Sequence, residues 1–176
     1  HGGANYKAGE MIDDIALHVQ DWESDDEVAA YLTRILNRQA FDHTGLVYGM
    51  GHAVYTLSDP RAVLLKERAF ALAKGTRFEE DFYLLDTIER MTPQLLREKS
   101  QNAAAKNICA NVDMYSGLIY QMLNIPPELF TPLFAVARIP GWCAHRMEEM
   151  INGKRIIRPA YKAINVNKKY IPLDRR

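Results

Sequence analysis

Apolar side chains recur along this chain at intervals of three and four far more often than at intervals of two. Over residues 6–19, Met11, Ile12, Ile15, Ala16 and Val19 form one stripe, which predicts an amphipathic helix. Ser24 followed by Glu27 is a capping-box pattern, and it opens a second stripe of Val28, Tyr31, Leu32, Ile35 and Leu36. The period lapses over 40–58. It resumes behind Asp59-Pro60, an N-cap residue followed by proline at the first helical position, and predicts a helix to about Lys74 that ends at Gly75. Val63, Leu64, Phe70 and Ala73 are the apolar face expected of that helix. Phe78, Phe82, Leu85 and Ile88 predict the next helix over 77–90, and Thr92-Pro93 predicts a short restart reaching Ser100. After an irregular segment over 107–112 the period returns from Met114 to Leu123. Ile125-Pro126-Pro127 stops it and a new helix runs to about Arg138. Pro140-Gly141 predicts an interruption before a last helix from Trp142 to Ile151. Residues 154–176 read as basic and irregular. No stretch alternates as a strand should, and no repeat or low-complexity tract is present. The expected fold class is all-α.

Composition narrows the field without naming a function. The chain has 176 residues, of which 48% are hydrophobic and 25% charged, enough apolar material for one domain or one domain plus part of another. Its 22 basic and 22 acidic side chains cancel, which argues against a dedicated nucleic-acid binder. No apolar run approaches the ~20 residues that span a bilayer. Cys109 and Cys143 are too few for a disulfide framework, so a reducing cytoplasmic location is expected. The opening His1-Gly2-Gly3-Ala4-Asn5 carries neither Met nor a signal pattern, and the expectation is a piece of a longer protein.

The break over 40–58 contains Gly49-Met50-Gly51-His52-Ala53-Val54-Tyr55, with Ser58-Asp59-Pro60-Arg61 close behind. Glycines allow tight backbone approach, histidine exchanges a proton near neutral pH, and arginine grips a carboxylate with two parallel hydrogen bonds. Together they suggest a site for a small anionic substrate. Of the five histidines, no two stand at metal-ligand spacing with cysteine or carboxylate, so no metal is expected. His145, near Trp142, reads as a structural histidine on an apolar helix face. Asp113, in Asn111-Val112-Asp113-Met114-Tyr115-Ser116-Gly117, is open to two readings: N-cap of the helix beginning at Met114, or a general base tuned by partial burial. Arg138 and Arg158, each close to a proline, read singly as surface charges.

Five motifs in one order change the picture. HGGAN, GMGHAVY with SDPR, NVDMYSG, the Arg138 segment followed by GWCAH, and Arg158-Pro159 together resemble the C-terminal part of citrate synthase, nearly end to end. The resemblance implies a helical fold in which a small domain closes over the substrates against a large one. Residues 1–117 would be small domain, and 118–176 the C-terminal helices and tail of the large domain. It also implies a homodimer or larger assembly, and an acyltransferase of the tricarboxylic acid cycle that condenses acetyl-CoA with oxaloacetate through an enol. Acetyl-CoA is then a co-substrate, and no resident cofactor is expected.

By the same resemblance Asp113 matches the base that removes the methyl proton, and His1 the histidine that hydrogen-bonds the thioester oxygen. His52 matches the group that polarises and protonates the ketone. Arg61, Arg138 and Arg158 match carboxylate-binding arginines, the last reaching a neighbouring subunit. The loop Val47, Tyr48, Gly49, Met50 and Gly51 would face the adenine of CoA, with Lys106 near its phosphates. A further substrate-binding histidine of the family lies upstream of His1, so the chain alone is expected to be inactive. The alternatives are a 2-methylcitrate synthase acting on propionyl-CoA and a non-catalytic CoA-binding or assembly module. ATP-citrate lyase carries a related module.

Overall fold

A computed structural model describes residues 3–100 and 108–152, with positions 172 and 175. Among the described residues are six α-helices: α1 (Gly3–His18), α2 (Asp25–Leu36), α3 (Pro60–Ala73), α4 (Glu79–Lys99), α5 (Asp113–Met122) and α6 (Phe130–Asn152). A 3-10 turn, Pro127–Leu129, precedes α6. The only extended pairing among the described residues is one isolated antiparallel bridge between Met50 and Ala110. The all-α expectation is borne out. The chain forms two compact units, 1–137 and 138–176.

In the first unit α5 packs against α1 and α3, while α2 packs against α4. Their shared core is made by Met11 and Ile15 of α1, Val28, Leu32 and Ile35 of α2, Leu84, Leu85 and Ile88 of α4, and Met114 and Tyr115 of α5. Each such side chain stabilises the fold by about 1.5–3 kcal/mol through burial alone. The first two stripes are therefore core faces, as their spacing predicts. Ser24 caps α2 by accepting from Glu27 N at 3.4 Å. Glu27 does not return the bond to Ser24; its carboxylate accepts from Gln20 N and Asp21 N at 3.2 and 3.1 Å and so pins the α1–α2 loop.

Three expectations need correction. The face α3 buries is an alanine stripe, Ala62, Ala69 and Ala73, whereas Val63, Leu64 and Phe70 are exposed. Small side chains allow α3 to lie close against α5, and that outweighs the larger side chains' preference for burial. The restart at Thr92-Pro93 does not occur, because α4 runs unbroken through Pro93 to Lys99. Buried Thr92 turns its hydroxyl back onto Ile88 O at 2.6 Å, while the carbonyl that Pro93 leaves without its N–H is that of half-buried Glu89. Likewise α6 continues through Pro140 and Gly141. The carbonyl deprived of its partner there belongs to exposed Val136, where water can replace the missing N–H.

A charged cluster joins three helices inside the first unit. Lys66 of α3 meets Asp86 at 2.5 Å and Glu89 at 2.8 Å on α4. Its ammonium stands over the ring of Tyr115 on α5, 5.7 Å from the centroid. The Tyr115 hydroxyl donates to Glu89, and burial followed by that bond pushes its pKa upward. In the second unit Ile139, Trp142, Met147, Met150 and Ile151 are exposed on α6. His145 is exposed there too, 3.5 Å from Glu148, and not on a buried apolar face.

Candidate active site

The site is assembled where the 47–55 loop, the start of α3 and the start of α5 meet. Gly51 N donates to Cys109 O at 2.8 Å and Asn111 N donates to Gly49 O at 2.9 Å, the two bonds of the isolated bridge. Asn111 then uses both ends of its side chain. Its Nδ2 donates to Gly51 O and its Oδ1 accepts from Asp113 N, each at 2.9 Å. The loop carrying His52 and the helix beginning at Asp113 are thus locked together by one amide side chain. Asp113 is the first residue of α5 rather than its cap, and Val112 at the cap position makes no side-chain bond. The N-cap reading of Asp113 is overturned; Asn111 satisfies that amide instead.

Gly49 has φ +84°, and a Cβ there would lie 2.9 Å from Met114 Cα. Glycine is required because backbone passes against backbone. Gly51 has φ +92°, but the space around a Cβ there is open apart from Ile108 at 3.9 Å. Val47 is buried in the core, so only its backbone can face a ligand. Tyr48 is braced by donating to Asp42 at 2.8 Å. Burial pushes the Asp42 carboxyl up, but its bonds from Thr44 and Tyr48, with Lys7 nearby, hold it below the usual range.

His52 is oriented by its own turn. Its Nδ1 accepts from Val54 N and Tyr55 N, both at 3.0 Å, and the Tyr55 ring packs beside it with centroids 4.8 Å apart. Because Nδ1 is an acceptor, the proton of the neutral ring sits on Nε2. That nitrogen faces Arg61 Nη2 at 3.1 Å, with Asp59 Oδ2 at 4.0 Å. Both nitrogens are then N–H donors, so their 3.1 Å approach is not a hydrogen bond, and an oxygen acceptor placed between them would satisfy both.

Asp59 holds the arginine in place, a role the sequence reading missed. Its carboxylate is buried and caps α3 by accepting from Arg61 N at 3.0 Å. It also accepts from Arg61 Nε at 3.0 Å and Nη2 at 2.8 Å. The inner edge of the guanidinium is thereby occupied and the outer Nη1–Nη2 edge is presented for a second carboxylate. The Arg61 bonds pull the Asp59 pKa below the usual carboxylate range, and the Asp59 bonds raise that of Arg61. The charge of Asp113 acts on Arg61 in the same direction. The signal for this clamp was an aspartate two residues before an arginine across a proline.

The structure therefore brings His52, Arg61, the Val47–Gly51 loop and the Asp113 end of α5 into one neighbourhood, and adds Asp59 and Asn111. Arg138 lies in the second unit. His1, Lys106 and Arg158 lie outside the described residues. Among the described residues no group of three or more His, Cys, Asp or Glu is placed to hold a metal ion.

Comparison with known proteins agrees with the motif order. The family model described as citrate synthase, C-terminal domain, matches residues 1–160. A citrate synthase of Synechocystis is 35% identical over 178 residues, covering 100% of this chain and 40% of that protein. A 2-methylcitrate synthase of Shewanella oneidensis is 33% identical, with 100% and 41% covered. The crystal structure of citrate synthase from Thermotoga maritima superposes with a TM-score of 0.65 at 32% identity, covering 100% of this chain and 43% of that one. Citrate synthase from Thermoplasma acidophilum, solved as a ternary complex with carboxymethyl coenzyme A and oxaloacetate, gives 0.64 at 28% identity, with 100% and 42% covered. The chain thus spans about 40% of the length of the curated relatives it matches.

Proposed function

The chain belongs to the citrate synthase family, and from that premise we propose that it supplies part of an active site condensing acetyl-CoA with oxaloacetate to citrate and CoA. The observation that carries the reading is the pair of donors at 3.1 Å, His52 Nε2 and Arg61 Nη2, fixed by Asp59 beside the Asp113 end of α5. A 2-keto dicarboxylate presents what such a pair recognises, a ketone oxygen for the imidazole N–H and a carboxylate for the guanidinium edge. Asp113 removes a proton from the acetyl methyl group, forming the enol, which attacks the ketone carbon. His52 polarises that ketone and gives its Nε2 proton to the oxygen as the new carbon–carbon bond forms. Water then breaks the citryl thioester and releases CoA.

His1 supports the thioester oxygen in this scheme, Arg138 and Arg158 take further carboxylate contacts, and Lys106 with the 47–51 loop takes CoA. Residues 1–117 act as the small domain, 118–176 return to the large one, and the whole protein works as a dimer or larger assembly. The similarity to a 2-methylcitrate synthase favours propionyl-CoA as the second reading. One methylene in a pocket is worth only about 1–3 kcal/mol, so rates on the two acyl-CoAs separate these readings. Retention of His1, His52 and Asp113 speaks against a non-catalytic module.

The direct test measures binding and turnover together. Oxaloacetate should shift the His52 ring signals in an NMR titration of the chain and lose that effect in Arg61→Ala; no shift would overturn the site. CoA release from acetyl-CoA and oxaloacetate by the chain alone should be negligible, and robust turnover would overturn the reading of a partial site.

A further inference from the structure

Two of the five motifs contain residues that the chemistry above leaves unused, and those residues meet. Asn5 of HGGAN is fully buried on α1, where it opens the inward stripe continued by Ala8, Met11 and Ile15. Its Nδ2 donates to Ser116 Oγ of NVDMYSG, which is buried on α5 one turn beyond Asp113. Its Oδ1 has no hydrogen-bond partner among the described residues. That oxygen lies beside Gly117 and Phe130, since a Cβ on the glycine would stand 3.9 Å from it and 3.9 Å from the ring.

A half-satisfied amide is a poor choice for stability. An apolar pair of similar volume, leucine facing alanine, would fill the same space and leave no acceptor dry. What the amide adds is direction. A hydrogen bond weakens steeply as it lengthens or bends, whereas apolar burial is non-directional and lets one face slide over another. Packing alone is a weak lock here. A cavity of about 30 Å³ is lined in part by Gly9 and Ile12 of α1 and by Asp113, Gly117 and Leu118 of α5. A Cβ on Gly9 would touch nothing within 4 Å. A slip by one helical residue would carry α1 about 1.5 Å along α5.

We propose that Asn5 and Ser116 are positioning residues, whose buried bond fixes how far α1 advances along α5. It thereby sets Asp113 against the segment entering α1, in which His1 precedes Asn5 by four residues. The pair rests on the condensation reading, in which Asp113 and His1 act on the same acetyl group. About 1 Å of misplacement between such groups costs on the order of 10²-fold in rate. The test makes Asn5→Leu and Ser116→Ala together in the full chain. Urea midpoints should hold or rise, while NOEs between the methyl groups of Ile12 and Leu118, which line the same cavity, should change as the register relaxes. Unchanged NOEs, or a large loss of stability, would overturn the proposal. The readout at the site is affinity for carboxymethyl coenzyme A relative to CoA, because only the former carries a group where the acetyl would lie. The intact chain should prefer carboxymethyl coenzyme A. The double substitution should cut that preference by about tenfold or more with CoA affinity unchanged, and Ser116→Thr, which keeps the hydroxyl, should retain it. An equal loss of affinity for both ligands would mark a general structural effect and overturn the assignment. A preference that survives the double substitution would overturn the positioning pair alone. No preference in the intact chain would overturn the condensation reading and the pair with it.

Discussion

A buried carboxylate that holds an exposed arginine behaves differently from either residue alone. Asp59 ionises more readily in the folded chain than in the unfolded one because Arg61 and the α3 amide bond its charged form. Its stabilisation is therefore complete above the unfolded carboxylate range and is lost as pH falls through the depressed folded pKa. Asp59→Ala should lower stability at pH 7 by about 1–2 kcal/mol, the size of a lost N-cap. Urea titrations of both proteins at pH 7 and pH 3 check this: the gap should narrow at the lower pH, and a gap of constant size would exclude the ionised clamp. Arg61 itself is half exposed, so its share of the pair is screened by solvent.

At the scale of elements, the 47–51 loop separates two glycines that look alike in sequence. Gly49→Ala places a methyl against the Met114 backbone in a left-handed conformation, and should cost about 2–4 kcal/mol. Gly51→Ala pays only the conformational cost, about 1–2 kcal/mol. Denaturant midpoints at unchanged slope measure both. Sequence reading saw the helices well because each stripe in α1, α2 and α4 reports a face that ends in the core. It failed where packing overruled periodicity: at the alanine face of α3, and at Pro93 and Pro140, where α4 and α6 run on despite one missing backbone bond each. The same holds for the site. His52 and Arg61 were visible as residue types, and Asp59 was read only as a cap although it stands two residues from Arg61; Asn111 acts across the chain, and no local spacing encodes its bond to Gly51.

For the molecule as a whole, an exposed apolar row on α6 stands out among the described residues of the second unit. Trp142, Met147 and Ile151 are 57%, 59% and 80% exposed, and such a row in water drives association. The chain should self-associate as its concentration rises. Trp142→Ser with Met147→Ser should shift light-scattering masses toward the monomer, and unchanged masses would show that another face is responsible.

The bond between Asn111 and Gly51 also sets an order in time. It joins residues sixty positions apart, so the chain between them must close as a loop before the bond can form. Contacts this distant in sequence are costly to reach early, whereas α3 and α4 inside the loop can form from local contacts. The neighbourhood of His52 and Asp113 should then be the last part to consolidate in folding and the first to come apart. Asn111→Ala would accelerate unfolding and leave the folding rate nearly unchanged in stopped-flow experiments. Chains caught in that interval would have their helices in place and their His52 loop adrift from Asp113.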